Sequence, residues 1–218
     1  MSTPDRAAAE PVPLGRSERI HAAILSAAEE VFLRDGYVGA SMDEVARLAG
    51  ASKQTVYKHF GSKEQLFTDV VTSMTVATGD PLGHETADAS GDPAETLTAL
   101  AVVMLDAVLT PRILRLRRLV IGEANRFPEL GKALFEHGPQ RAMAGVQRRL
   151  QAWIEAGALP AHDTGAAAQH YNWLVMGAPL NAAMLLGDEA ILSAAKRRAH
   201  AEAAVSALLR SIGAAVAA

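Results

Sequence analysis

Between Ser52 and Lys63 the chain carries Lys53, Gln54, Thr55, Tyr57, Lys58 and His59. Cations, an amide, a hydroxyl, a phenol and an imidazole thus crowd into little more than two helical turns. Reading base edges in a duplex groove needs such donors and acceptors, an apolar surface for thymine methyls, and cations for phosphates. If the segment is helical, Val56 and Phe60 share a buried face and the polar side chains cover the rest. Lys53 and Gln54 then sit in the first turn, where a helix docked by its N-terminal end meets the bases. Thr55 suits a base or a phosphate, while Tyr57 and Lys58 suit phosphates, Tyr57 adding an apolar ring face. Lys63 opens the next helix, where backbone N–H groups and the dipole favour an anion, and reads as a phosphate clamp. His59, the capping Ser52, and Ser41 with Met42 at the preceding helix start complete the candidate DNA surface.

The elements that must hold these groups are legible in the flanking residues. Ser41 can cap a first helix, and Glu44 three residues on completes the capping-box pattern. Val45, Leu48 and Ala49 give it an apolar stripe, and Gly50 follows where helices end in the left-handed region. Ser52 caps a second helix, Gly61 ends it, and Ser62 opens a third with Gln65 in a weaker box. Two helices joined by a tight Gly-containing turn form a helix-turn-helix, whose second helix enters the major groove.

Charge agrees, but only locally. The 218-residue chain has 24 acidic and 21 basic residues, a net −3 that gives no hint of a nucleic-acid partner. From Val45 to Lys63, however, stand Arg47, Lys53, Lys58 and Lys63 with no Asp or Glu, a concentrated electrostatic footprint. A capped helix pair with a polar face also serves plain structural roles; the acid-free face argues for DNA.

The length suits one or two domains, and with 50% hydrophobic residues a sizeable core is available. The absence of cysteine excludes disulfides, thiolate metal sites and a Cys nucleophile, and fits a cytoplasmic protein. No apolar run approaches the roughly 18 residues of a membrane span, so no membrane partner is expected. Residues 1–15 are Ala- and Pro-rich without a signal-peptide core, and read as a flexible arm. Such an arm could brush a minor groove through Arg6 or Arg16, although an unstructured tail with no role is the favoured reading.

Further helices are expected from Ser62 to Thr78, carrying Leu66, Phe67, Val70, Val71 and Met74, and over 94–109, 112–125, 129–156, 164–186 and 188–213. Pro179 inside one of them predicts a kink. The last two are rich in small residues, among them Ala178, Ala182, Ala199 and Ala203, followed by Leu208, Leu209 and Ile212. That pattern suits close helix packing, either within the chain or against a second copy. Met74, Val103, Met104, Phe127, Met143, Trp173 and Met176 are candidates for the wall of an adaptable apolar cavity, or for ordinary core. Asn125, His137, His170 and Asn172 are candidate polar groups there. Enzymatic chemistry finds little footing. His84-Glu85-Thr86-Ala87-Asp88 lacks the second His of a zinc helix, and His162, Asp163 and His170 have no diagnostic metal spacing. Phosphate loops, dinucleotide turns and nucleophile elbows are absent, so neither a metal nor a cofactor is expected.

The stretch from Ser17 to Phe67 resembles the N-terminal domain of the TetR family of bacterial transcriptional regulators. The resemblance rests on Ile20, Ile24, Ala27, Ala28, Val31 and Phe32, the Gly36-Tyr37 exit, and Ser41-Met42-Asp43-Glu44-Val45-Ala46. Gly50, the run from Ser52 to Phe60, and Gly61-Ser62-Lys63-Glu64-Gln65-Leu66-Phe67 complete it. Arg118 to Leu130 is similar to the C-terminal domain of the AefR-like branch. The resemblance implies an all-α protein of about nine helices, with a three-helix helix-turn-helix domain (16–64) and a C-terminal helical bundle (65–218). That bundle would form a ligand pocket and a dimer interface, which places the Ala178, Ala182, Ala199, Ala203, Leu208, Leu209 and Ile212 set between two protomers. The implied function is a homodimeric repressor released from double-stranded operator DNA by a small-molecule effector. An activator, or a DNA-binding protein whose C-terminal domain only dimerises, is the alternative.

Overall fold

A computed structural model describes residues 15–79 and 91–214 of the chain. The N-terminal arm with Arg6, and the segment from His84 to Asp88, lie outside the described residues. Every regular element described is helical, and the chain divides into two compact units after Phe67.

The first unit holds α1 (Arg16–Gly39), α2 (Met42–Leu48) and α3 (Lys53–Phe60), and α4 (Lys63–Gly79) begins in it. Its core draws Ile24, Ala28, Val31 and Phe32 from α1, Val45 and Ala46 from α2, and Val56 and Phe60 from α3. Gly36 adopts φ 73° and breaks the helical path of α1, which turns Tyr37 inward. The Tyr37 ring then lies 5.1 Å from Phe67 and 6.2 Å from Phe32. Gly50 and Gly61 take φ 62° and 73°, ending α2 and α3 as their positions predict.

Two expectations for α2 change. Its buried residues are Met42, Val45 and Ala46, because the helix ends at Leu48, which is left exposed. The Ser41 side chain makes no capping hydrogen bond, and the Glu44 carboxylate instead meets Arg34 of α1 at 2.9 Å. A charged partner has outcompeted the backbone for that carboxylate.

The second unit contains α5 (Pro93–Val108), α6 (Pro111–Glu123), α7 (Pro128–Phe135), α8 (Arg141–Glu155), α9 (Thr164–Leu186) and α10 (Ala194–Ser211). Pro93, Pro111 and Pro128 stand in first turns, where a missing N–H costs nothing. Asp92, Thr110 and Asp163 cap α5, α6 and α9 through backbone N–H groups at 2.9, 3.3 and 3.0 Å. Helices α7 and α8 run on through a π-turn, Glu136–Gln140, so the described residues form nine helical rods. Pro139 in that turn lacks an N–H, and the helix widens around it instead of breaking. The final helix starts at Ala194 rather than near 188, since Asp188–Ala190 forms a separate 3₁₀ turn and Ser193 caps α10.

The core of this unit lies where α5, α8, α9 and α10 meet, with Leu97, Leu105, Trp153, Tyr171, Val175 and Val205 at its centre. Tyr171 Oη donates to the Leu97 carbonyl at 2.7 Å, and burial pushes its phenol well above the ordinary range. Helix α9 stays continuous through Pro179, which leaves the Val175 carbonyl without its intrahelical N–H. His200 Nε2 of α10 lies 2.9 Å from that carbonyl and must therefore be the protonated nitrogen. Replacing His200 with Leu strands a buried acceptor, and is expected to cost about 1–3 kcal/mol of stability. Urea denaturation of the full chain reads this as a lower midpoint; an unchanged midpoint means solvent serves the carbonyl instead.

Candidate nucleic-acid interface

Helix α3 has eight residues, too few to persist alone in water. It is held from below by Val56, fully buried, and Phe60, on whose ring His21 of α1 stacks at 4.6 Å. Ser52 holds it at the start, its Oγ accepting from Thr55 N at 3.1 Å. With those positions fixed, Lys53, Gln54, Tyr57 and Lys58 are exposed, and Thr55 and His59 partly so. Six of the side chains expected to meet DNA therefore come from one element and lie on its outer surface. Ser41 and Ser52 are exposed beside them, whereas the Met42 side chain is only 7% accessible and packs inward. As a DNA contact Met42 is thus limited to its backbone.

The outward surface is not free of acid, as the run from Val45 to Lys63 suggests. Lys53 Nζ donates to Asp43 Oδ2 of α2 at 3.0 Å, and this partner holds the ammonium above the ordinary lysine range. Both side chains are more than half exposed, so the pair is weak and exchangeable. A phosphate oxygen can take the place of the carboxylate at little cost.

Lys63 is placed differently from the expected clamp. Its Nζ donates to the carbonyls of Ala40 at 2.6 Å and Val38 at 3.3 Å, and lies 4.9 Å from the centre of the Tyr37 ring. The ammonium thus gathers the orphan carbonyls at the end of α1, where negative dipole charge collects. Tyr37 Oη donates to Glu64 Oε1 at 2.8 Å in the same cluster. Hydrogen bonds from its own backbone, then from Tyr37 and Ser62, hold the Glu64 carboxyl below its usual range. Lys63 and Glu64 brace the α1 exit against the start of α4. Sequence reasoning missed this brace, although the aromatic Tyr37 directly after Gly36 is its local signal.

The candidate effector-pocket residues do not gather in one place. Met74, Met104 and Met176 are buried, and Met143 packs against the core of the second unit. Val103 and Asn125 are exposed; Phe127 and His137 are partly buried. Trp173 is 70% accessible, and with His170, Leu174, Ala207 and Ser211 it lines an open depression of about 400 Å³ on the outside of α9 and α10. Neither His170 nor Trp173 therefore belongs to an internal cavity wall. Of the candidate dimer residues, Ala178, Ala199 and Ala203 are exposed and Ala182 is partly so. Leu208 and Leu209 are buried in the chain's own core, and Ile212 packs against it, because the α10 stripe they share faces α5 and α9. Leu208 and Leu209 are thereby removed from a surface contact, while Ile212 stays partly exposed. Trp173, Leu174, Leu185 and Leu186 are outward instead. No group of three or more metal-ligating side chains occurs among the described residues, and no single helix there is long and apolar enough to cross a membrane.

Residues 24–70 match the family model for bacterial regulatory proteins of the tetR family. Residues 95–213 match the C-terminal domain of AefR-like transcriptional repressors. A crystal structure from Mesorhizobium loti assigned to the TetR family of transcriptional regulators superposes with a TM-score of 0.82 at 36% identity, covering 91% of this chain and 98% of that one. The HTH-type transcriptional activator FasR of Mycolicibacterium smegmatis is 48% identical over 58 residues, 27% of this chain and 26% of that protein. The DNA-binding transcriptional repressor TetR of Mycobacteroides abscessus is 47% identical over 53 residues, 24% of this chain and 28% of that protein. The chain thus spans about a quarter of the length of these two curated relatives.

Two substitutions separate the roles assigned to these cations. Asp43→Asn removes a surface anion and frees Lys53, and is expected to strengthen binding to any duplex by about two- to fivefold at low salt. Fluorescence anisotropy at several salt concentrations measures it, and unaltered affinity rules out competition by Asp43. Lys63→Met should lower the thermal midpoint of the full chain while leaving the salt slope of DNA binding unchanged. A flatter slope in that variant restores Lys63 to phosphate contact.

Proposed function

The chain belongs to the TetR family of bacterial transcriptional regulators, with an AefR-like C-terminal unit, and from that premise we propose a homodimeric repressor that leaves a palindromic operator when a small molecule enters its C-terminal unit. The observation that carries the DNA reading is the outward polar face of α3, pinned by Val56 and Phe60 with Lys53 and Gln54 at its leading end. In this reading Gln54 and Lys53 contact base edges, while Tyr57 and Lys58 grip phosphates.

Dimerisation is supported by the outward face of α9. Trp173 is 70% accessible and Leu185 and Leu186 are each 75% accessible in the single chain, and small residues beside them permit close helix approach. Large apolar side chains exposed at two places along one helix, with Leu174 exposed beside Trp173, leave α9 open to a partner. Two copies joined there carry two α3 helices, which must meet half-sites about 34–36 Å apart or a multiple of that spacing. Repression is favoured over activation by the C-terminal match, whose family is described as repressors. The helix-turn-helix match alone is neutral, since it reaches an activator and a repressor at nearly equal identity.

Release needs no unfolding. An effector that prefers a conformer with misplaced α3 helices shifts the population, and a coupling of about 1–3 kcal/mol changes operator affinity by roughly 5- to 150-fold. Selection from a randomised duplex library tests the proposal. Palindromic sites should be enriched, and Gln54→Ala should relax discrimination at matching positions in both halves, by about 1–3 kcal/mol per lost bidentate contact. Enrichment of single unpaired half-sites, or identical rankings for variant and parent, contradicts it.

A further inference from the structure

Arg117 stands on α6 in helical register with Ile113, Leu114 and Val120, all of them buried. The residue is itself partly buried; its Nε is shielded from solvent and has no hydrogen-bond partner. Burial alone lowers its pKa, with no acidic side chain acting in the opposite direction. The next residue shows how an arginine is normally accommodated in this unit. Arg118 donates to the carbonyls of Ala183 at 2.7 Å and Met184 at 3.3 Å, and lies 3.9 Å from Asp188. Arg117 has no such set.

An arginine stays protonated at neutral pH even when desolvated. Holding that charge against an apolar helix face without a counter-ion is costly, and an anion placed beside it offsets part of that cost. The surroundings also constrain that anion. Buried aliphatic residues flank Arg117 on its own helix, which suits an anion carried by an otherwise apolar molecule, and the planar guanidinium matches a carboxylate in bidentate fashion. The geometry points to an effector of one chemical class: a small, largely apolar carboxylate whose headgroup pairs with Arg117. This inference rests on the ligand-released reading above and specifies its ligand.

The test uses the full-length protein with decanoate and 2-naphthoate, each against its neutral primary amide, read by thermal midpoint and operator affinity. Wild type should respond to the acids at concentrations at least about tenfold below those needed for the amides. Arg117→Met should abolish that gap while melting, without ligand, at or above the wild-type temperature, because an uncompensated charge is gone. Arg117→Gln, polar but uncharged, should abolish the gap as well. Equal responses to acid and amide in wild type, or a gap that survives both substitutions, overturns the proposal. If the amides release operator DNA as well as the acids do, ligand release stands and the anionic class falls. If neither acids nor amides change midpoint or operator affinity, the result counts against both.

Discussion

An eight-residue helix cannot hold its shape in water, since nucleation is unfavourable and so short a run recovers few hydrogen bonds. Helix α3 exists because Val56 and Phe60 are sunk into the core of the first unit, each burial worth about 1.5–3 kcal/mol. His21 stacked on Phe60 ties that anchor to α1, and the Ser52 cap and Gly61 turn set where the helix starts and stops. Every outward-facing group on α3 inherits its direction from those two apolar contacts. A helix with no fixed contact would present its polar groups anywhere; one with two presents them one way.

The same unit shows that charge in a sequence is not charge on a surface. Four cations lie between Val45 and Lys63 with no acid among them. Asp43 nevertheless reaches Lys53, Glu44 lies near Arg47 at 3.8 Å, and Lys63 is spent on carbonyl groups. Both acids come from just outside the acid-free run, immediately before it begins. Lys58 is exposed, and among the described residues no carboxylate pairs with it. Exposed pairs of this kind are weak and screened by salt, so duplex phosphates compete with them effectively. The interface is therefore adjustable by ionic strength to a degree that a bare count of lysines overstates.

The all-helical architecture was legible because helical periodicity, caps and prolines agree along most of the chain. Pro93, Pro111 and Pro128 open helices within a residue of the starts expected at 94, 112 and 129. The face of α3 was legible for the same local reason. Two kinds of feature were not. Side-chain partners across elements, such as Arg34 with Glu44 or Lys63 with Ala40, depend on packing that no window of sequence contains. The direction of a residue on a helix apolar on several sides was equally hidden. Helix α9 carries Tyr171, Val175 and Ala183 inward and Trp173, Leu185 and Leu186 outward, and composition alone does not separate the two sets. Leu208 and Leu209 were misplaced for that reason: apolar residues near a chain end fit either a core or an interface.

The arrangement of α6 against α9 suggests how the two proposed properties of the second unit are joined. Adjacent arginines on α6 have different surroundings: Arg117 lies on the buried face without a partner, while Arg118 grips the last carbonyls of α9. Those carbonyls carry the negative end of the α9 dipole, so the Arg118 contact is charge-assisted and resists slippage. The anion proposed for Arg117 would sit on the same helical turn as the arginine that holds α9 in place. Helix α9 in turn is fastened to α10 through His200 and the carbonyl left open by Pro179. Packed helices shift as bodies rather than deforming smoothly. In the proposed dimer, a displacement at α6 would thereby reach both helices whose outer faces are proposed to meet a second copy.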